Sequence, residues 1–321
     1  MFSDPKKIYE EFENKSLNKN SAIELLISLI ENLDDNEVRL DSIKILDEKI
    51  GALDASVFKL CENLLVSDSN PLIRNAACLY IKNHFLFKAL NPMKWAIQHE
   101  KNYDCIINII KTLENVNNAE SKTVLIAELK KLLKRKFMDE RKEYENIEFI
   151  ISLKILFETR KVDDLTNYEL AEILVNYKTI AVLINKFYTL KFEWENGLVI
   201  DLDLSKLGFI DKPQFASKLT DLSEVIGLKH LNHLKKLNLS NNRLTTIKDL
   251  AGMKYLTNLY LSGNELETHD NIEYLKKLPS LKYLDISENN LAYRIDKSRF
   301  ENVYIKSTKA LDLLLEKLSD I

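Results

Sequence analysis

Leu234-Lys235-Lys236-Leu237-Asn238-Leu239-Ser240-Asn241-Asn242-Arg243-Leu244 fits the template L-x-x-L-x-L-x-x-N-x-L at every specified position, and the chain carries that template twice more. Leu256 to Leu266 fits with Asn264, and Leu281 to Leu291 fits with Ile286 in one leucine slot and Asn289 in place. The starts are separated by 256 − 234 = 22 and 281 − 256 = 25 residues. A template that recurs at such a period is a stacking unit, because one copy cannot bury its apolar side alone whereas copies in register can. Each inward leucine then contributes about 1.5 to 3 kcal/mol when fully buried. The asparagines, with two donors and an acceptor, suit a ladder of bonds to the backbone of neighbouring turns, so Asn242, Asn264 and Asn289 read as scaffold.

This pattern resembles leucine-rich repeats, and within them the short class that includes regulatory subunits of protein phosphatase 1. The resemblance runs over residues 198 to 295 and implies a horseshoe whose parallel strands line a concave face. Val199-Ile200-Asp201-Leu202-Asp203-Leu204 fits the strand part, but Leu207 stands where asparagine is expected, as in an atypical first repeat. Between Ile210 and Leu234 the pattern is irregular, and one extended or two imperfect repeats are compatible with it. Val225, Leu228, Leu231 and Leu234 echo Ile247, Leu250, Met253 and Leu256 on the return side of the next unit. Leu311, Leu314, Leu315 and Leu318 place an amphipathic helix over Lys309 to Ile321, suited to cap the last repeat.

Upstream, from about residue 6 to 195, apolar residues recur at helical spacing, as in Ile23, Leu26, Ile27 and Ile30. Polar breaks such as Asp34-Asp35-Asn36, Ser67-Asp68-Ser69-Asn70 and Asn115 to Asn118 divide this stretch into helices that fit some five antiparallel pairs. Two openings are alike: Asp34 to Arg39, and Asp68 to Ala77 with Pro71 at a helix start, where proline is tolerated. Their arginines lie 74 − 39 = 35 residues apart, and Ser42 and Ala77 stand three positions on. This resembles HEAT repeats, which implies that Asp caps the helix and pairs with an arginine of the same or the adjacent unit. The small residue then allows close helix approach. Around Tyr103-Asp104 and Ile147-Glu148 the rhythm persists without the arginine.

The expected fold is thus an α/β solenoid: a HEAT-like all-α superhelix over residues 1–196, then a leucine-rich repeat horseshoe with a parallel sheet and a capping helix over 197–321. The 321 residues, 45% hydrophobic and 30% charged with only 6 Gly and 5 Pro, have the composition of an ordered globular chain. Cys61, Cys78 and Cys105 are odd in number and widely spaced, and read as reduced core residues. No apolar stretch suits a signal peptide or a membrane span, so the expected location is the cytoplasm.

A net charge of −3 offers nucleic acid no overall attraction, and residues 1–196 carry 28 − 32 = −4. The run Lys130, Lys131, Lys134, Arg135, Lys136 is followed at once by Asp139, Glu140, Glu143 and Glu145, which largely cancel its field. No Gly-rich phosphate loop, G-x-S-x-G, H-E-x-x-H or Cys–His grouping is present. His230-x-x-His233 lacks a third ligand nearby. The expectation is a non-enzymatic, monomeric protein-binding adaptor or regulatory scaffold without cofactor or metal, its partner a protein that the sequence does not name; the alternative is a nucleic-acid-binding HEAT-like module. The outward strand positions, selected by the period of two, form the candidate site: Asp201, Asp203, Lys236, Asn238, Asn258, Tyr260, Tyr283 and Asp285.

Overall fold

The computed structural model describes residues 4–51, 53–134, 140–187, 190–205, 207 and 218–307, with backbone alone for 133, 134 and 140–147. The expected capping helix at 309–321 and most of the basic run at 130–136 lie outside the described side chains. The described residues fall into two compact units, one within Met1–Lys134 and Val162–Leu174, the other within Arg135–Lys161 and Val175–Ile321.

The first unit is helical. It holds α1 (Pro5–Glu13), α2 (Lys19–Asn32), α3 (Asn36–Ile45), α4 (Ala55–Ser67), α5 (Pro71–His84), α6 (Leu90–His99), α7 (Tyr103–Val116), α8 (Ala119–Lys134) and the start of α10 (Asn167–Lys186). Short polar side chains set where these helices begin. Asp4, Asn18, Asp35, Asp54, Asn70 and Asn102 each accept a hydrogen bond from a first-turn amide, satisfying donors that have no intrahelical partner. The apolar stripes behind those caps are buried, with Ile8, Leu26, Ile73 and Leu113 at 0% exposure.

One of the two arginines pairs with an aspartate, as the resemblance to HEAT repeats implies, and the other pairs with a glutamate. Arg39 donates to the Ile30 carbonyl (2.9 Å) and pairs with Asp68, the residue that ends α4. Arg74, one unit on, grips Glu100 through two bonds of 2.7 and 2.9 Å and also reaches the carbonyls of Asp68 and Ser69. Ser42 and Ala77, at the small positions, are fully buried. At the place of the arginine in α7, three residues past the helix start, stands buried Ile106. There the ionic link passes to Lys111, which pairs with Glu114 (3.0 Å) and with Glu172 of α10.

The second unit contains α9 (Glu140–Thr159), the rest of α10 and a six-stranded sheet in the order β1 to β6. Its strands are β1 (Lys191–Glu195), β2 (Leu198–Asp203), β3 (Lys236–Asn238), β4 (Asn258–Tyr260), β5 (Tyr283–Asp285) and β6 (Tyr304–Lys306). β2 to β6 are parallel, and β1 is antiparallel to β2. The helical expectation up to about residue 195 is corrected here. Phe192 and Trp194 alternate with Lys191, Glu193 and Glu195, and Asn196-Gly197 forms a tight turn with φ values of 54° and 77°. That is the sequence signature of a hairpin.

Leu202, Leu237, Leu259, Leu284 and Ile305 occupy one register row, at separations of 35, 22, 25 and 21 residues (237 − 202, 259 − 237, 284 − 259, 305 − 284). β2 and β3 are direct neighbours in the sheet. The longer step of 25 residues accommodates α11 (His269–Lys276), where the step of 22 uses the shorter 3-10 turn Lys248–Leu250. All of these leucines and Ile305, together with Ile180 and Leu183 of α10 and Phe187 just after it, belong to one apolar cluster.

The asparagine ladder is present. Asn242 donates to the carbonyls of Leu204 and Leu239 (both 3.0 Å) and accepts from the Leu219 amide (2.9 Å). Asn264 donates to Leu239 and Leu261 (2.9 and 2.8 Å) and accepts from Leu244 (3.0 Å). Asn289 donates to Leu261 and Ile286 (2.8 and 3.2 Å) and accepts from Leu266 (3.1 Å). Each asparagine therefore ties its own turn to the turn before it. Asn271 of α11 does the same on the return side, accepting from Ile247 (3.0 Å) and donating to Thr245 (3.0 Å).

Candidate protein-binding face

Because strand residues alternate across the sheet, the positions flanking the buried leucine row share its other face. Register makes two rows of them. Asp201, Lys236, Asn258, Tyr283 and Tyr304 are aligned in one; Asp203, Asn238, Tyr260, Asp285 and Lys306 in the other. All eight sequence-derived candidates are in these rows, and β6 adds Tyr304 and Lys306. Those two escaped the sequence reading because Phe300 to Lys306 carries neither the leucines nor the asparagine of the template. The signal available was the alternation Val303, Ile305 against Tyr304, Lys306.

The aromatic rings converge. Tyr260 and Tyr283 have centroids 5.1 Å apart at 40°, and Tyr283 and Tyr304 5.6 Å apart at 23°. These are separations at which tilted and offset rings attract. Tyr260 and Tyr283 are half-buried and Tyr304 is exposed.

The charges pair across neighbouring strands. Lys236 Nζ lies 2.6 Å from Asp201 Oδ2, and Lys306 Nζ 3.2 Å from Asp285 Oδ2. In both pairs the carboxylate is recessed and the ammonium stands out: side-chain exposures are 47% against 15% for the first pair and 49% against 8% for the second. Asp285 is thus in the outward row but is covered, and one of its oxygens accepts from the Ser287 amide (3.0 Å). The hydrogen bonds to Asp201 and to Asp285 raise the pKa of Lys236 and of Lys306, so both ammoniums stay charged. Partial burial, together with the nearby Asp285 charge, raises the pKa of Tyr283 and keeps its hydroxyl protonated. Asp203 accepts from the Ser205 amide (2.9 Å), and Asn238 from the Ser240 amide (3.1 Å), so each also closes the turn after its strand.

His233 stacks on Tyr255 with centroids 5.3 Å apart at 9°. Among the described residues no group of three or more His, Cys, Asp or Glu side chains is placed to hold a metal ion. Lys131 pairs with Glu128 of its own helix at 2.5 Å. Cys61, Cys78 and Cys105 are buried, and burial pushes the Cys78 thiol up to about 12 and the other two higher still. A groove of about 450 Å³ opens between α6 and α8, lined by Leu90, Lys94, Val124 and Ala127 among others. Among the described residues no helix is long and apolar enough to cross a membrane.

Residues 216–266 match the family described as Leucine rich repeat. The matched stretch holds β3, β4 and the ladder residues Asn242 and Asn264, and domains of this kind generally mediate protein–protein interaction. The chain is similar to a probable inactive serine/threonine-protein kinase of Dictyostelium discoideum, 35% identical over 112 residues that cover 28% of this chain and 6% of that protein. It is also similar to the CD180 antigen of Homo sapiens, 39% identical over 67 residues that cover 20% of this chain and 10% of that protein. Both relatives are matched over only a small part of their own length.

Proposed function

We propose that this chain is a protein-binding adaptor or regulatory subunit whose working surface is the outward face of β2 to β6. The observation that carries the reading is the contiguous tyrosine cluster of Tyr260, Tyr283 and Tyr304 on three adjacent strands. Tyrosine buries a large area at low conformational cost while keeping a polar end, which is why it is enriched where proteins meet. In this reading the chain is an α/β solenoid whose two parts, expected at 1–196 and 197–321, meet at the β1–β2 hairpin that holds the Asn196-Gly197 turn. A HEAT-like superhelix precedes the turn, and a leucine-rich horseshoe follows, its concave face formed by the two outward rows. The short-class likeness to regulatory subunits of protein phosphatase 1 gives the regulatory sense of the proposal. The buried thiols fit a reducing compartment, and a monomer in the cytoplasm is the working form.

A nucleic-acid-binding helical unit is the competing reading. Arg39 and Arg74 speak against it, since both guanidinium groups are engaged by carboxylates and carbonyls within the fold. Affinity capture with wild-type chain beside a Tyr260→Ala, Tyr304→Ala variant tests the proposal. Loss of a specific protein in the variant is the expected result; retention of every partner assigns the work to the helical unit. Salt-sensitive retention of DNA by the wild type at moderate ionic strength replaces the adaptor reading with the competing one.

A further inference from the structure

The exposed chemistry of the tyrosine end of the sheet is asymmetric in sign, although its ion pairs are balanced. Asp201 and Asp285 are sunk beneath the surface, whereas Lys236 and Lys306 stand about half-exposed above them. A partner approaching this face meets an aromatic floor with a positive tip at each side. Lys236 is on β3, one strand before Tyr260, and Lys306 is on β6, the strand that carries Tyr304. Lys236 lies in the row of Tyr304 and Lys306 in the row of Tyr260, so three strand spacings, about 14 Å at roughly 4.8 Å each, combine with an offset of two residues along the strand, about 7 Å, to set their backbones about 16 Å apart. An extended segment laid obliquely across the strands advances about 3.3 Å per residue, so its positions i and i+4 span about 13 Å, within reach of two long lysine side chains rooted about 16 Å apart, while i, i+2 and i+4 face the same way.

We propose that this face takes an extended segment of a partner protein with the pattern acid-x-apolar-x-acid. The two carboxylates reach Lys236 and Lys306, and the apolar side chain between them lies on the rings of Tyr260, Tyr283 and Tyr304. The inference rests on the adaptor reading above and narrows it to one partner chemistry. A basic segment is disfavoured because its charges would meet the two ammoniums before reaching the recessed carboxylates, which are already paired. The lysines also need not leave their carboxylates, since an ammonium has three donors and the inner pair uses one.

The test is selection from a phage-displayed random dodecapeptide library on the full chain, with counter-selection on the Tyr260→Ala, Tyr283→Ala, Tyr304→Ala variant. Circular dichroism of each variant checks that the fold is retained. The expected outcome is enrichment of Asp or Glu four residues apart around an apolar residue. A synthetic peptide of the enriched sequence then binds about 3- to 10-fold more weakly to Lys236→Gln or to Lys306→Gln, and more weakly still as salt is raised. Tyrosine-dependent enrichment of basic or uncharged peptides overturns the inference and leaves the adaptor reading standing. Absence of any peptide whose retention needs the tyrosines overturns both.

Discussion

Glu100 serves two purposes at once, holding Arg74 through both carboxylate oxygens and accepting at 2.8 Å from the amides of Lys101 and Asn102 at the start of α7. Burial alone pushes its carboxyl up, but the bonds from Arg74 and the two amides outweigh this and bring it down to about 2. A group whose folded pKa lies below its unfolded one lends stability that is complete above the unfolded value. That stability is lost as pH falls from about 4.5 towards 2. Glu100→Gln is therefore expected to cost about 2 kcal/mol at neutral pH and to flatten the acid limb of the melting curve, read by circular dichroism. An acid limb as steep as that of the wild type would count against this account. A second single-residue effect lies in the ladder region. Gly263 has φ +66°, and a Cβ there would stand 2.9 Å from Asn241 Oδ1. Gly263→Ala should lose about 1 to 2 kcal/mol in urea unfolding, without change in the slope against denaturant.

Whole elements were legible in the sequence where one local rule decided them. Helix starts followed from Asp or Asn beside an apolar stripe, and three strands from the leucine template with its asparagine. β1 and β6 were hidden for different reasons. β1 is a five-residue strand that follows a twenty-residue helix after a short connection, and the apolar rhythm of the helices runs on into it. β6 forms because β5 offers it a partner, a cause outside its own residues. The outward rows were readable from the period of two, but the recessed position of Asp285 was not, since it depends on Lys306 of β6. The start of the sheet has its own clamp: Val199 N–H donates to Asn176 Oδ1 of α10 (3.0 Å), and Gly197 N–H to Ser152 Oγ of α9 (2.7 Å). Asn176→Ala leaves the buried Val199 amide without that acceptor. The expected loss is about 1 to 3 kcal/mol, with faster amide exchange through β1 and β2. Unchanged exchange in those strands would show that the clamp does not hold them.

On the scale of the molecule, charge is divided unevenly. Residues 1–196 carry −4, and the remainder carries 18 − 17 = +1, from 46 − 28 basic and 49 − 32 acidic side chains. The modest basic excess of the later part agrees with a face whose exposed tips are ammonium groups. Tyr260→Ala with Tyr304→Ala should abolish capture of a specific partner while shifting the thermal midpoint by only a few degrees, because neither ring belongs to the leucine cluster. The register of β3 on β4 has a further consequence, for length itself. Lys236 aligns with Asn258, 22 residues on, so excising residues 237–258 would set Leu259 in the place of Leu237 and Asn264 in that of Asn242. Neither the bonding partners of the asparagine nor the sequence of the following turn would be offended. A chain of this construction is tolerant of gaining or losing one tier at a time, and its descendants can change the breadth of the surface they offer without redesigning what lies beneath it.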